Sequence, residues 1–290
     1  NVCPTGMVYL DTFYGCVKRL PNGNGEYEIA KRTEGTLNRI VDDWMDTIKR
    51  PGIEDIYGPI GEWDVSLVTD FGFLFWSKTT FNTDISKWNL AAAEEMHDMF
   101  KYASAFNCDL SMWQTGKIRD MTNLFNGASV FNSDLSTWQT GKVVYMIQVF
   151  YKASAFNGDV STFNTNNVTS MHRLFYEAQA FNGDVSTWQT SRVASMDSMF
   201  EGATVFIGDL SKWVTSSATT MTNMFYNSGF TRTLCGGAWE SLTGNDGDGN
   251  AINAFSNLGS STARLGCCPA GSFMSNPFVA PFTETNSCSQ

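Results

Sequence analysis

Aspartate side chains recur at a fixed interval of 25 residues through the middle of this chain. Each aspartate is followed two residues later by a serine, and five of the six are preceded two residues earlier by an asparagine. Oxygen atoms of these residue types are ligands that Ca²⁺ prefers. The aspartates are Asp84, Asp109, Asp134, Asp159, Asp184 and Asp209, and the asparagines are Asn82, Asn107, Asn132, Asn157 and Asn182.

Two interpretations of these polar residues stay open. In the first, the asparagine and aspartate side chains accept hydrogen bonds from backbone amides at a corner of each repeat. In the second, a row of Ca²⁺ sites is built on Asp109, Asp134, Asp159 and Asp184. We favour capping because every repeat carries the same set, which suits architecture better than one specific site. We therefore expect no cofactor, with calcium as the alternative.

Other candidate sites in the sequence are incomplete. The stretch Asp246-Gly247-Asp248-Gly249 resembles part of a Ca²⁺ loop, but residues 251–257 contain no carboxylate. His97 and His172 occupy the same position three repeats apart, about 14 Å at strand spacing, so we expect no shared metal ion. The sequence contains no Gly-x-Ser-x-Gly, no phosphate-binding Gly-Lys-Ser/Thr and no His-Glu-x-x-His. We predict that the chain is not an enzyme.

Cysteines concentrate at the two ends of the chain. Short end segments lack a core of their own, so disulfides contribute most there and indicate an oxidising compartment. Cys3 with Cys16, and Cys235 with Cys267 or Cys268, are candidate pairings, but six cysteines allow 15 connectivities. The six candidates are Cys3, Cys16, Cys235, Cys267, Cys268 and Cys288.

Two further residues are candidates for modification. Cys108 replaces the Thr, Ser or Gly of other repeats, and we predict a free, partly exposed thiol, with an intermolecular bond as the alternative. Asn167 begins Asn167-Val168-Thr169, the single standard N-glycosylation sequon, and is therefore a candidate glycosylation site. The sequon supports secretion.

Aromatic residues follow the same interval and predict a stacked core. Rings that recur once per repeat lie above one another when the repeats stack, and each buries about 150–250 Å². One column holds Trp88, Trp113, Trp138, Trp188 and Trp213, with Phe163 in place of a sixth tryptophan. A second column includes Phe106, Phe131, Phe156 and Phe181.

Each repeat predicts one short helix and one very short strand. Met96, Met99, Phe100 and Ala103 are spaced as one helical face. Asp134-Leu135-Ser136 places one apolar residue between two polar ones, which favours a parallel strand stacked on the next repeat. We predict an α/β solenoid of about seven to eight leucine-rich-repeat-like coils.

The ends differ from the middle, as terminal repeats must. We predict an amphipathic N-terminal capping helix that ends before Pro51 and buries Leu37, Ile40, Val41, Trp44, Met45 and Ile48. A disulfide-stabilised cap closes the C-terminal end. The predicted organisation is a Cys-containing N-terminal segment at 1–30, the capping helix at 31–55, the solenoid at 56–240, and a C-terminal cap with a Cys-containing tail at 241–290.

Charge and hydropathy exclude two classes of partner. The net charge is −10, which provides no basic surface for a nucleic-acid backbone. No apolar run approaches about 18 residues, so we expect no direct membrane insertion.

The repeats resemble a known family. Phe131-Asn132-Ser133-Asp134-Leu135-Ser136-Thr137-Trp138, followed by Val143, Met146, Val149 and Phe150, is similar to repeats of the BspA-like leucine-rich-repeat surface-protein family, also called the mycoplasma lipoprotein-type repeat. The similarity covers about residues 35–245. With its Cys-containing ends, the whole chain resembles microalgal versions, such as those of diatoms. The resemblance implies an extracellular or cell-surface location and adhesive or structural roles, and it supplies no catalytic residues.

Two functions are consistent with these observations. The first is a structural protein that associates head to tail into a filament or coat, since heterologous contacts that do not close give open assemblies. The alternative is an adhesion or recognition module that binds protein or glycan on one face. Candidate binding positions on that face are Tyr102, Asn126, Tyr151, Tyr176 and Tyr226.

Overall fold

The computed structural model describes residues 36–234 and four short strands outside them. The strands β1 (Met7–Tyr9), β2 (Cys16–Arg19) and β3 (Tyr27–Glu28) form an antiparallel sheet in that order, and β4 (Thr233–Leu234) pairs with β5 (Arg264–Leu265) in parallel. No helix among the described residues is long and apolar enough to cross a membrane. The other elements are α1 (Thr36–Met45), α2 (Arg50–Tyr57) and a 3-10 turn (Ile60–Glu62).

Two helices, rather than one, lie ahead of the repeats. The predicted helix included Ile48, but α1 ends at Met45 and Ile48 is 88 % exposed. The chain turns here because a carboxylate oxygen of Asp46 accepts a hydrogen bond from the Ile48 amide. Pro51 then lies in the first turn of α2, where its missing N–H breaks no helical hydrogen bond.

Helix α1 covers the apolar end of the first repeat. Its buried side chains are Leu37, Ile40, Val41 and Trp44. The Trp44 ring packs edge-on against Phe81, with centroids 6.2 Å apart. The Asn38 side chain also donates a hydrogen bond to the carbonyl of Gly72 at 3.1 Å. These contacts shield the first pair of core rings from water.

Successive 25-residue units, called coils below, are joined by parallel bridges. Backbone amides beside the bridges donate to the next coil, as Asp98 does to Thr122 at 2.8 Å and Phe100 to Leu124 at 2.9 Å. Each coil therefore satisfies part of its backbone only through its neighbour. The bridged residues, called the bridge column below, are Asp70, Glu95, Asp120, Tyr145, Ser170, Ser195 and Thr220.

The bridges do not lie where the sequence predicted a strand. Leu135 forms no bridge, and the nearest bridged residue after it is Tyr145. The Asp134 side chain accepts from the Ser136 amide, and the Trp138 amide donates to the Leu135 carbonyl. These local bonds close a turn and leave the segment unpaired as a strand, so the predicted strand position is wrong.

The predicted repeat helix is also absent from the described coils. Asp98 and Tyr102 have φ values of +55° and +62°, which an α-helix excludes. Amides along this segment alternate between a tight turn in their own coil and a carbonyl of the next coil. The helix prediction is therefore wrong. The side chains that it placed on one face are nevertheless all buried, namely Met96, Met99, Phe100 and Ala103.

Stacked rings fill the core. Phe131 lies parallel to Phe156 of the next coil, with centroids 5.8 Å apart, and contacts Phe125 of its own coil at 3.8 Å. Trp113 and Trp138 stack at 6.4 Å. These rings are buried almost completely, so they provide a large share of the apolar area that stabilises the coils.

Candidate functional site

The repeated aspartates close turns within their own coils. In each, one carboxylate oxygen accepts a hydrogen bond from the amide of the serine two residues later, and the six distances are 2.8–2.9 Å. The serine amide and hydroxyl lower the pKa of Asp84 and of Asp184 because they stabilise the charged carboxylate. Calcium binding by Asp109, Asp134, Asp159 and Asp184 stays an alternative that would have to use the remaining oxygens.

The repeated asparagines link one coil to the next. The side-chain oxygen of Asn132 accepts from the Asn157 amide at 2.7 Å, and the Asn132 amide donates to the oxygen of Asn107 at 2.8 Å. The ladder runs from Asn82 to Asn182. It ends at Ile207, whose amide donates to Asn182 and whose side chain offers no acceptor.

A histidine side chain lies beside two carboxylates of the bridge column. One ligand atom each of Glu95, His97 and Asp120 lies within 4.8 Å of the other two. All three side chains are partly buried. Loss of hydration and the charge of Asp120 raise the pKa of Glu95, and Asp70 adds to this effect from the preceding coil. The acidic side chains of three successive coils, Asp70, Glu95 and Asp120, therefore lie next to one another along one edge of the stack. Among the described residues, no other three histidine, cysteine or acidic side chains meet in this way.

The imidazole of His97 lies against the preceding coil. A Cβ atom at Gly72 would be only 2.6 Å from its Cε1 atom, so the absence of a side chain there makes room for the ring. Phe73 contacts the imidazole edge-on, with centroids 5.0 Å apart, and the Phe73 amide donates to the His97 carbonyl at 3.1 Å. Gly72 and Phe73 together fix the place of this ring.

His172 has the equivalent coil position but different neighbours. The bridge column there carries Ser170 and Ser195 instead of acids. Its Nδ1 atom lies 4.0 Å from a carboxylate oxygen of Asp197. Burial and the charge of Arg173 lower the pKa of His172. The two histidines therefore belong to separate clusters.

Sequence reasoning missed the cluster around His97. The separation of His97 and His172 argues against a site common to both, but it leaves open a site between either histidine and the acids of adjacent repeats. Asp70, Glu95 and Asp120 are spaced by 25 residues, which is the signal that would have revealed the column.

Cys108 is free and half-buried. Its Sγ atom donates to the carbonyl of Thr83 at 3.1 Å. Burial and the charge of Asp84 raise the pKa of the thiol to about 11, which keeps it protonated and unreactive at neutral pH. The pairing of the six other cysteines lies outside the described residues, as does the Asp246-Gly247-Asp248-Gly249 stretch.

The candidate glycosylation site Asn167 lies on the surface between two coils. Its Nδ2 atom donates to the Gly141 carbonyl at 2.7 Å, and its Oδ1 atom accepts from Arg192 at 3.0 Å. The side chain is exposed, although its amide takes part in contacts with both adjacent coils.

The candidate binding face contains aromatic and cationic side chains. Tyr151 and Tyr176 stack at 4.6 Å, with Lys152 5.4 Å from the first ring and Arg173 5.6 Å from the second. Tyr102 is exposed and Tyr226 is partly exposed. Asn126 does not belong to this face, because it is buried and donates to Asn123 and Gln148.

A sequence family matches the repeats twice in tandem. The family described as "Mycoplasma protein of unknown function, DUF285" matches residues 50–146 and residues 133–236, which together span more than half of the chain. No curated protein and no solved structure matches the sequence.

Proposed function

Because this chain belongs to DUF285, a family of BspA-like repeat surface proteins, we propose that it is an extracellular or cell-surface structural protein. In this proposal the coils form a solenoid, and protomers associate head to tail as building blocks of a filament or coat. The Cys-containing ends, as in the microalgal members that the chain resembles, provide disulfide-stabilised modules at both ends of each protomer. The partners are further copies of this chain, and the proposal contains no catalytic step.

One observation supports a structural role above others. The same backbone bridge recurs from Asp70 to Thr220 without an insertion, and the same ring contacts accompany it. Repeat proteins of this kind are extended, and each unit contacts only its neighbours. An extended protomer whose two ends differ is suited to heterologous contacts, which give filaments when the rotation does not close.

In this proposal one such contact forms at the N-terminal end of the described stack. Helix α1 already covers the first core rings, so a second protomer meets the outer side of α1 and α2. Ile48 lies between these helices and is 88 % exposed, which makes it an apolar contact point at this end. Ile207 lies far along the coils and is 46 % exposed, which makes it a matched control.

Sedimentation velocity over a range of protein concentrations tests this proposal. We expect the wild type to form larger species as concentration rises, and Ile48→Glu to weaken that association because a charge cannot be buried without a partner. Ile207→Glu should associate as the wild type does. A wild-type protein that stays monomeric in dilute and concentrated solution contradicts the proposal.

Recognition of a glycan or protein is the second candidate function, and the stacked pair Tyr151 and Tyr176 favours it. Two partly exposed rings beside Lys152 and Arg173 provide apolar faces and hydrogen-bond donors on one surface. Glycan and cell-surface protein arrays test this function. A ligand that binds the wild type but not Tyr151→Ala/Tyr176→Ala supports it, and arrays without a ligand contradict it.

Secretion and modification form a third part of the proposal. We propose disulfides at the two ends and an N-linked glycan on Asn167. Intact-mass measurement of native material, before and after reduction and glycosidase treatment, tests both. The expected results are a mass increase of the unreduced protein on reduction and a glycan loss that maps to Asn167. A fully reduced, sugar-free native protein contradicts this part.

A further inference from the structure

We infer that Glu95, His97 and Asp120 bind one divalent transition-metal ion, with Zn²⁺ as the representative. The site lies on the bridge column at the coils that carry these three residues. It is independent of the proposed self-association, since none of the three residues belongs to the chain ends.

The ligand atoms already lie close to the required arrangement. Zn²⁺ binds imidazole nitrogen and carboxylate oxygen at about 2.0–2.2 Å, so two tetrahedral ligand atoms are about 3.3 Å apart. The three atoms here are within 4.8 Å of one another before any ion is bound. In this proposal the partly exposed Glu95 side chain rotates to close the difference, and three protein ligands leave a fourth position for water.

The local charges favour a cation. Glu95 and Asp120 are partly buried neighbours, and Asp70 continues the row of acids. Within residues 36–234, no lysine or arginine forms an ion pair with Glu95 or Asp120, whereas the adjacent Glu94 is paired with Arg119. Carboxylates at this distance repel each other more strongly than in water, because partial burial lowers the effective dielectric constant. A bound dication would remove this repulsion.

The histidine is held in place before binding. Its ring occupies the space that a side chain at position 72 would fill, and Phe73 packs against the ring edge-on. Metal sites gain affinity when the surroundings orient the ligands in advance. The Asp120 carboxylate is oriented as well, since one oxygen accepts from the Thr122 amide at 2.7 Å.

The donor set indicates the class of ion. Ca²⁺ and Mg²⁺ bind oxygen ligands, whereas imidazole suits Zn²⁺ and similar transition metals. One imidazole with two carboxylates is therefore a site for a borderline-soft transition-metal ion such as Zn²⁺ rather than for Ca²⁺. This distinguishes it from the calcium alternative for the repeated aspartates, which contains no nitrogen ligand.

The chain provides its own control. His172 has the same coil position as His97, but serines replace the acids of the bridge column around it. His172→Ala removes an equivalent imidazole without removing the inferred site. Glu95→Gln and Gly72→Ala are additional tests, because the first removes a ligand charge and the second fills the space that the His97 ring occupies.

The experiment measures Zn²⁺ binding to the full chain after metal removal, by titration calorimetry, and Co²⁺ absorption as a spectroscopic check. We expect the wild type and His172→Ala to bind one equivalent more than His97→Ala. We expect Gly72→Ala to lower the affinity by about 10–100-fold, as loss of ligand orientation does. Near-UV circular dichroism verifies that each variant is folded. Equal Zn²⁺ stoichiometry and affinity in the wild type, His97→Ala and Glu95→Gln would overturn the inference.

Discussion

The indole nitrogen of Trp138 donates a hydrogen bond of 3.1 Å to the carbonyl of Leu110, 28 residues earlier. The bond crosses from one coil to the one before it and is buried. The same relationship recurs at Trp88, Trp113, Trp188 and Trp213. Phe163 interrupts this row, because its ring has no N–H group and cannot donate to the Leu135 carbonyl.

The interruption predicts that Phe163→Trp stabilises the chain. A new indole donor opposite Leu135 should add about 0.5–1.5 kcal/mol to the free energy of unfolding, which is the net value of one hydrogen bond. Trp138→Phe should lower it by at least the same amount. Urea denaturation followed by tryptophan fluorescence and circular dichroism measures both. Two substitutions without effect would show that the indole bonds contribute nothing.

Phe131→Ala is expected to lower the free energy of unfolding by about 3–5 kcal/mol, because it leaves a cavity in the ring stack. Phe131 is fully buried between Phe106 and Phe156. Val130→Ala is the matched control, since Val130 is exposed and adjacent in sequence. Guanidinium denaturation of both variants makes the comparison. If Phe131→Ala lowers the free energy of unfolding by less than Val130→Ala does, the result contradicts a buried stack of rings.

The asparagine ladder predicts a smaller effect. Asn132→Ala removes the acceptor of the Asn157 amide and should lower the free energy of unfolding by about 0.5–1.5 kcal/mol. Ile207→Ala should have little effect, because Ile207 takes part in the ladder only through its backbone amide. Thermal unfolding by calorimetry compares the two. If both variants unfold at the same temperature, the asparagine side chains do not link the coils.

Acid should weaken the turns that the aspartates close. The pKa of Asp184 is lowered in the folded chain by the amide and hydroxyl of Ser186. Its contribution to stability is therefore fully present above the unfolded pKa, near ~3.9, and is lost as the pH falls through the lower folded value. Urea denaturation of the wild type and of Asp184→Asn between pH 6 and pH 3 checks this. The difference between the two free energies of unfolding should change with pH as expected for the titration of about one carboxyl group.

For that comparison, the stability of the wild type should fall more steeply with acid than that of Asp184→Asn. NMR titration adds a direct measurement, and we expect Ser186→Ala to raise the pKa of Asp184 because the hydroxyl is lost. An Asp184 pKa that is unchanged by Ser186→Ala would show that the hydroxyl does not stabilise the carboxylate.

Cys108 should react slowly with alkylating reagents. Because burial and Asp84 raise the pKa of its thiol to about 11, the reactive thiolate is scarce at neutral pH. Iodoacetamide labelling followed by peptide mass mapping should show a rate that keeps increasing up to pH 10. A peptide with an unperturbed cysteine, whose pKa is near ~8.5, is the control and should level off earlier. Equal pH profiles would contradict the prediction.

Burial could be predicted from the sequence far better than backbone conformation. The 25-residue interval placed Phe131, Trp138 and Met96 in the core correctly, because any regular stack of identical coils aligns equivalent side chains. The same spacing also suggested a helix, since the pattern i, i+3, i+4, i+7 matches one helical face. The coil produces that burial with alternating turns and left-handed residues such as Asp98 and Tyr102, which this spacing does not distinguish from a helix.

For the candidate metal site, the sequence could have predicted the position of two ligands but not the orientation of the third. Two of its ligands, Glu95 and Asp120, lie 25 residues apart along the bridge column, so the repeat spacing alone could have placed them side by side. What the sequence could not provide is the side on which His97 points. That depends on the space at Gly72 and on the contact with Phe73, which are visible only in three dimensions.

Electron cryomicroscopy of native material tests the central proposal, head-to-tail assembly of an extracellular structural protein, most directly. The account predicts filaments or sheets in which protomers are joined end to end, with coils spaced by about 4.8 Å along the protomer axis. Native preparations that contain only separate protomers, at every concentration examined, would contradict it.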